Sequence, residues 1–182
     1  MRISRIPRYR QRQILRQGAI LLFAALVLIF GRNVSRHPGQ DDPFPPSIEG
    51  RGHPIDGDSL RVGGDEVRLK GIDAPEGRQT CRRDGTPWNC GDAARDTLRQ
   101  LIGGDTVVCS VSERDRFGRL LANCRAGSRE LNAGMVAAGM AVSYGGFRSE
   151  EAQAKAARKG LWGAEFQMPR AWRDEHQKNS GS

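Results

Sequence analysis

The chain has 182 residues, enough for one domain with appendages, and a formal net charge of +8. That charge is no sign of a general nucleic-acid-binding surface. Eight of the 29 basic residues are arginines within residues 1–36, which hold no acid, and the remainder is formally neutral, with 21 basic and 21 acidic residues. Composition thus excludes a polycation, and any grip on nucleic acid has to come from a local cluster of arginines and a cation.

The N-terminus sets Arg2, Arg5, Arg8, Arg10, Arg12 and Arg16 before the apolar stretch from Ala19 to Phe30. A basic flank followed by such a stretch is an export signal whose arginines stay cytoplasmic. As a helix these residues cover roughly 18 Å, short of the ~30 Å hydrocarbon core, which favours a cleaved signal peptide. No small-x-small cleavage site follows in Gly31 to Arg36, however, so the reading leans to an uncleaved anchor, with residues 18–31 in the inner membrane and the domain on its periplasmic or extracellular face. Pro38, Pro43, Pro45 and Pro46 mark a linker. The expected organisation is 1–31 signal or anchor, 32–47 linker, 48–173 folded domain and 174–182 tail.

Short alternating segments follow. Ile48 to Pro54 contains Pro54 and few apolar residues, and is predicted frayed or at an edge. Leu60 and Val62 share one face, and Val67 and Leu69 another, with Arg68 turned away from them. Val107, Cys109 and Val111 alternate in a further strand, and Leu120, Ala122 and Cys124 in its partner. Three helices are predicted: Asp92 to Ile102, ending at Gly103-Gly104; one starting near Asn132 as its cap; and one from Ser149 to Gly160, with Glu150 and Glu151 favouring the dipole of its first turn. This order predicts an α+β domain on a small curled sheet.

Four cysteines allow three connectivities. They fall in two local pairs, neither spaced like a zinc ribbon or a redox CxxC. The midpoint of Cys109 and Cys124 lies in the turn Asp115-Arg-Phe-Gly118, so the two sulfurs should face each other across a hairpin. Closing a loop of that size stabilises by about 3 kcal/mol in the chain-entropy model. A Cys81–Cys90 bond would staple the intervening loop. Both suit an exported protein.

The most informative stretch runs from Asp56-Gly-Asp58 to Arg68-Leu-Lys-Gly-Ile-Asp73-Ala-Pro-Glu76. These two motifs hold four carboxylates, and Arg68 with Arg119 from the distant turn makes two guanidinium groups. Carboxylates to gather a hard cation, arginines to clamp a phosphate and one spare carboxylate as base are the parts for phosphodiester hydrolysis. Pro75 biases Ala74 to an extended conformation, and the bend can bring Asp73 and Glu76 to one rim with different reach.

Ile55 to Ser59, Val67 to Glu76 and Asp115 to Arg119, in this order, resemble the staphylococcal nuclease (thermonuclease) family. The likeness continues through Leu131-Asn132, Gly139-Met-Ala141, Tyr144, Gly160-Leu-Trp162 and Pro169-Arg-Ala-Trp-Arg173. The cysteine pairs resemble the exported bacterial branch of that family. The resemblance implies an OB-type five-stranded β-barrel with three α-helices behind an N-terminal membrane or signal helix. It also implies Ca²⁺-dependent hydrolysis of DNA and RNA, with P–O5′ cleavage leaving 3′-phosphates; the expected partner is single-stranded DNA or RNA as substrate, and the expected state a monomer. By position, Asp58, Asp73 and the Ala74 carbonyl correspond to metal ligands, Asp56 to a supporting carboxylate, and Arg68, Glu76 and Arg119 to the catalytic residues. Tyr144 is a candidate for stacking on a base. The competing reading is a non-catalytic OB-fold binding module tethered to the envelope, which would have no need of all five charged side chains.

Overall fold

The computed structural model describes residues 44–179, with side chains to residue 176, so the predicted signal segment lies outside the described residues. Among these residues no helix is long and apolar enough to cross a membrane. Strands β1 (Ser47–Pro54), β2 (Ser59–Val62) and β3 (Asp65–Leu69) form an antiparallel meander. After β4 (Ile72–Asp73) and the small hairpin of β5 (Cys81–Arg83) and β6 (Thr86–Trp88), helix α1 (Cys90–Ile102) leads into β7 (Thr106–Arg114) and β8 (Leu120–Ala126). β7 pairs with β1 and with β8, and β8 closes the circle by running parallel to β3, with Val67 opposite Leu120 and Leu69 opposite Ala122. The result is a closed five-stranded barrel in an α+β domain.

Alternation builds the barrel's interior. Val67 and Leu69 are fully buried, whereas Arg68 between them is only half-buried on the opposite face. Leu60, Val62, Val107, Leu120 and Ala122 fill the same core, each aliphatic side chain contributing about 2 kcal/mol on burial. Helix α1 adds Ala94, Leu98 and Ile102 to it. Short β9 (Arg129–Glu130) folds back antiparallel onto the end of β8 and leads into α2 (Leu131–Ala137), which buries Leu131, Met135 and Val136. The remaining elements are β10 (Val142–Ser143), which pairs with β4, then α3 (Arg148–Ala156), a 3₁₀ turn over Gly160–Gly163, and α4 (Pro169–Asn179). Both disulfides, Cys81–Cys90 and Cys109–Cys124, are formed, the second between directly opposed residues of β7 and β8.

Three expectations are corrected. β1 is not an edge strand: it pairs with β2 on one side and β7 on the other. It reads as weak because Gly52 replaces a core side chain. A Cβ there would come within 2.6 Å of Val107 Cγ2 and 3.1 Å of Ile102 Cδ1, so its neighbours fill the interior. Asn132 is not a helix cap but a buried crosslink inside α2. Its Oδ1 accepts from the Cys124 amide at 2.9 Å, and its Nδ2 donates to the carbonyls of Lys70 (3.0 Å) and Ala122 (3.1 Å). The described residues also form four α-helices, not three. α4 continues beyond residue 173, and its polar composition hides it from a search for apolar periodicity.

Candidate active site

The Asp56-Gly57-Asp58 turn is built by its first carboxylate. Asp56 Oδ1 accepts from the amides of Asp58 (2.9 Å) and Ser59 (2.7 Å), an Asx-type arrangement that turns the chain into β2. Asp58 is thereby placed inside, 2 % exposed. Its Oδ2 accepts from the Ala74 amide at 2.8 Å, joining the β1–β2 turn to the end of β4. Its Oδ1 accepts from Arg68 Nη1 at 2.7 Å and from Ser59 Oγ at 3.1 Å. Burial pushes the Asp58 carboxyl up to about 7, because Arg68 and the Ala74 amide only partly offset lost hydration and the adjacent Asp56 and Asp73 add repulsion.

Arg68 projects from β3 onto both candidate ligand carboxylates. Nη1 meets Asp58, and Nη2 donates to Asp73 Oδ1 at 2.9 Å, so the two acids converge within the span of one guanidinium. Burial works against the Arg68 charge, but the two carboxylates outweigh it and strengthen protonation. Asp73, 7 % exposed, is fixed by the β4–β10 pairing opposite Val142.

A third guanidinium, to which the sequence alone assigns no role, joins them. Arg173 of α4 donates through Nη2 to Asp73 Oδ2 at 3.0 Å, while its Nη1 lies 2.8 Å from Asp73 Oδ1 and 2.7 Å from Glu76 Oε1. Burial tends to lower its proton affinity, but the bonds to Asp73 and Glu76 raise it well above the usual arginine value. The sequence signal that could have found it is Pro169 at the first position of a helix, four residues before an arginine.

Arg119 is held by its own turn. Asp115 Oδ1 accepts from the amides of Phe117 (2.9 Å) and Arg119 (3.0 Å), and Oδ2 accepts from Arg119 Nε at 2.8 Å. Burial alone would raise the Asp115 carboxyl, but these bonds prevail and hold it below the ordinary carboxylate range. With Asp56, Arg68, Glu76, Phe117 and Arg173, Arg119 lines a cavity of about 440 Å³. A second cavity, of about 520 Å³, shares Arg68 and Arg173 with it and is also lined by Asp73, Ser143, Tyr144 and Met168. Tyr144 is 64 % exposed there.

The candidate residues Asp58, Arg68, Asp73, Ala74, Glu76 and Arg119 are thus brought to one rim, and Tyr144 to the neighbouring cavity. No cluster of three or more His, Cys, Asp or Glu side chains is gathered as a metal cage among the described residues. The donor set on offer is two carboxylates and a backbone carbonyl, all oxygen, with no imidazole or thiolate, which suits a hard cation. The carboxylate convergence on Arg68 Nη1 and Nη2 marks a place already shaped for positive charge.

A family model described as staphylococcal nuclease homologue matches residues 66–164. The chain is 31 % identical over 126 residues to the succinoglycan biosynthesis protein ExoI of Rhizobium meliloti (strain 1021), covering 65 % of this chain and 66 % of that protein. It is 32 % identical over 135 residues to an uncharacterized endonuclease of Escherichia coli O157:H7, covering 68 % of this chain and 82 % of that protein. A probable endonuclease, LCL3, of Verticillium alfalfae (strain VaMs.102 / ATCC MYA-4576 / FGSC 10136) is 30 % identical over 135 residues, covering 64 % and 46 %.

Proposed function

The chain belongs to the staphylococcal nuclease family, and from that premise we propose that it is a Ca²⁺-dependent phosphodiesterase acting on single-stranded DNA and RNA outside the cytoplasm. The observation that carries the reading is the meeting of Arg68, Glu76 and Arg119 on one cavity, although β3, the loop after β4 and the β7–β8 turn supply them separately. The relatives named as endonucleases support the reaction class. The two disulfides support an oxidising compartment, and the basic-then-apolar N-terminus supports export with a membrane anchor.

Asp58, Asp73 and the Ala74 carbonyl would hold the cation, which when bound polarises the phosphoryl group and offsets its charge. The chain's own residues do the rest. Arg68 and Arg119 present planar forks to the non-bridging oxygens, where negative charge grows as water adds to phosphorus. Glu76 orients that water and takes its proton. As the new P–O bond forms, the P–O5′ bond breaks, the departing 5′ oxygen takes a proton from solvent, and the product keeps a 3′-phosphate. Tyr144 offers an exposed ring on which a base next to the scissile phosphate can stack.

The test is digestion of single-stranded DNA and RNA with Ca²⁺, with chelator, and by Glu76→Gln. Turnover is expected with Ca²⁺ alone, and Glu76→Gln is expected to bind substrate without cleaving it. Undiminished turnover in chelator would remove the calcium role. Binding without cleavage by the parent protein in Ca²⁺ would leave a tethered binding module.

A further inference from the structure

Both oxygens of Asp73 are capped by guanidinium groups: Oδ1 by Arg68 and Arg173, and Oδ2 by Arg173. Three of its roughly four acceptor sites are so taken, and a cation arriving at the remaining one on Oδ2 faces both guanidinium charges, so binding is eased when one arginine gives way. The two are not equally free to do so. Arg68 is anchored on a barrel strand, is 14 % exposed and also holds the buried Asp58. Arg173 is 27 % exposed and also holds Glu76, whose side chain is 30 % exposed. It stands on a helix in which, among the residues described to 176, only Pro169 is buried, while Trp172 and Arg173 are half-buried. Partly exposed ion pairs are weak, and breaking one costs far less than uncovering a buried charge.

We propose that Arg173 is an internal competitor of the cation at Asp73, and that once displaced it serves as a third guanidinium for the substrate phosphate. The inference rests on the calcium reading given above. Arg173 lines both cavities, that of Glu76 and Arg119 and that of Tyr144. When the cation takes Asp73, the fork of Arg173 turns to the next anion within reach, a phosphodiester crossing from one cavity to the other. The C-terminal helix thereby belongs to the reacting unit. The empty enzyme keeps its ligand carboxylates neutralised, and the loaded enzyme gains a phosphate contact.

The experiment measures Ca²⁺ binding by titration calorimetry on the full chain, as the parent protein and as Arg173→Gln and Arg170→Gln. The second variant removes the same charge from the same helix but forms no ion pair with either carboxylate. Arg173→Gln is expected to bind Ca²⁺ roughly 3- to 10-fold more tightly than the parent, with Arg170→Gln near parental. With Ca²⁺ present, Arg173→Gln should bind a nucleoside 3′,5′-bisphosphate about tenfold more weakly. Amide exchange across 169–179 in the parent should quicken when Ca²⁺ is added without nucleotide. Equal Ca²⁺ affinity in the parent and Arg173→Gln, or equal gains in both variants, overturns the competition. Ca²⁺ binding by none of the three proteins overturns both this inference and the calcium reading beneath it.

Discussion

Glu76 and Gln79 clasp each other: the Gln79 amide donates to the Glu76 carbonyl at 2.8 Å, and the Glu76 amide donates to Gln79 Oε1 at 3.3 Å. Gln79 is 1 % exposed, and its Nε2 donates to the Gln167 carbonyl at 2.7 Å, two residues before α4. One buried amide thus ties the loop of the proposed base to the segment that presents Arg173. Gln79→Leu should cost about 1–3 kcal/mol in chemical denaturation, since it strands the Gln167 carbonyl and the Glu76 amide. It should also lower turnover at least tenfold under conditions where the variant remains folded. Parental kcat in the folded variant would show that Gln79 does not position Glu76.

Gly91, in the first turn of α1, touches the same loop. A Cβ on it would fall 1.9 Å from the Glu76 carbonyl oxygen and 2.8 Å from its carbon. Gly91→Ala must therefore move the loop or the helix, and should lose about 2–3 kcal/mol of stability together with most of the activity. Gly77 faces open space, and Gly77→Ala should stay within about 1 kcal/mol of the parent. Similar melting temperatures for the two variants would contradict the close packing of α1 on this loop.

Arg68 and Arg119 should fail differently. Arg119→Ala removes a proposed phosphate contact from a partly exposed turn, so it should cost on the order of 10²–10³ in rate but only about 1 kcal/mol of stability. Arg68→Ala leaves Asp58 and Asp73 facing each other without their shared cation, and about 3–5 kcal/mol of stability should go with the activity. Urea titrations of the two variants separate these outcomes, and equal stability losses would count against the bridging role of Arg68.

Acid should loosen the Arg119 turn. The Asp115 carboxyl lies below 3.8, its ordinary value, in the folded protein. The unfolded chain therefore takes up the proton first. The stabilisation from this group, complete above 3.8, is lost as pH falls through the depressed folded value. The Phe117 and Arg119 amides, both bonded to Asp115 Oδ1, should titrate together in NMR spectra with a midpoint below 3.8. A midpoint above it would reverse the sign of the effect.

The site was most legible where its residues are close in sequence. Asp58, Arg68, Asp73 and Glu76 announce themselves by residue type within 19 positions, and alternation around Arg68 gives its strand face. Arg173 escaped because its partners lie 97 and 100 residues away, and an arginine on a polar helix looks like a solvated face. Asn132 misled for a similar reason: its type suits a cap, and only the β8 and Lys70 backbone groups it satisfies reveal a crosslink. Gly52 hid a central strand because the space it leaves is filled by Val107 and Ile102 from elsewhere.

The segment recognisable to a family model begins at Glu66 and stops at Ala164. Asp58, β1 and β2 precede it, and α4 follows. A polypeptide trimmed to those bounds would strip β3 and β7 of one neighbour each, baring two sticky borders that invite fibrillar or amorphous clumping. Excision for expression should therefore keep every element from Ser47 to Asn179, because the barrel closes only with β1 and β2 in place.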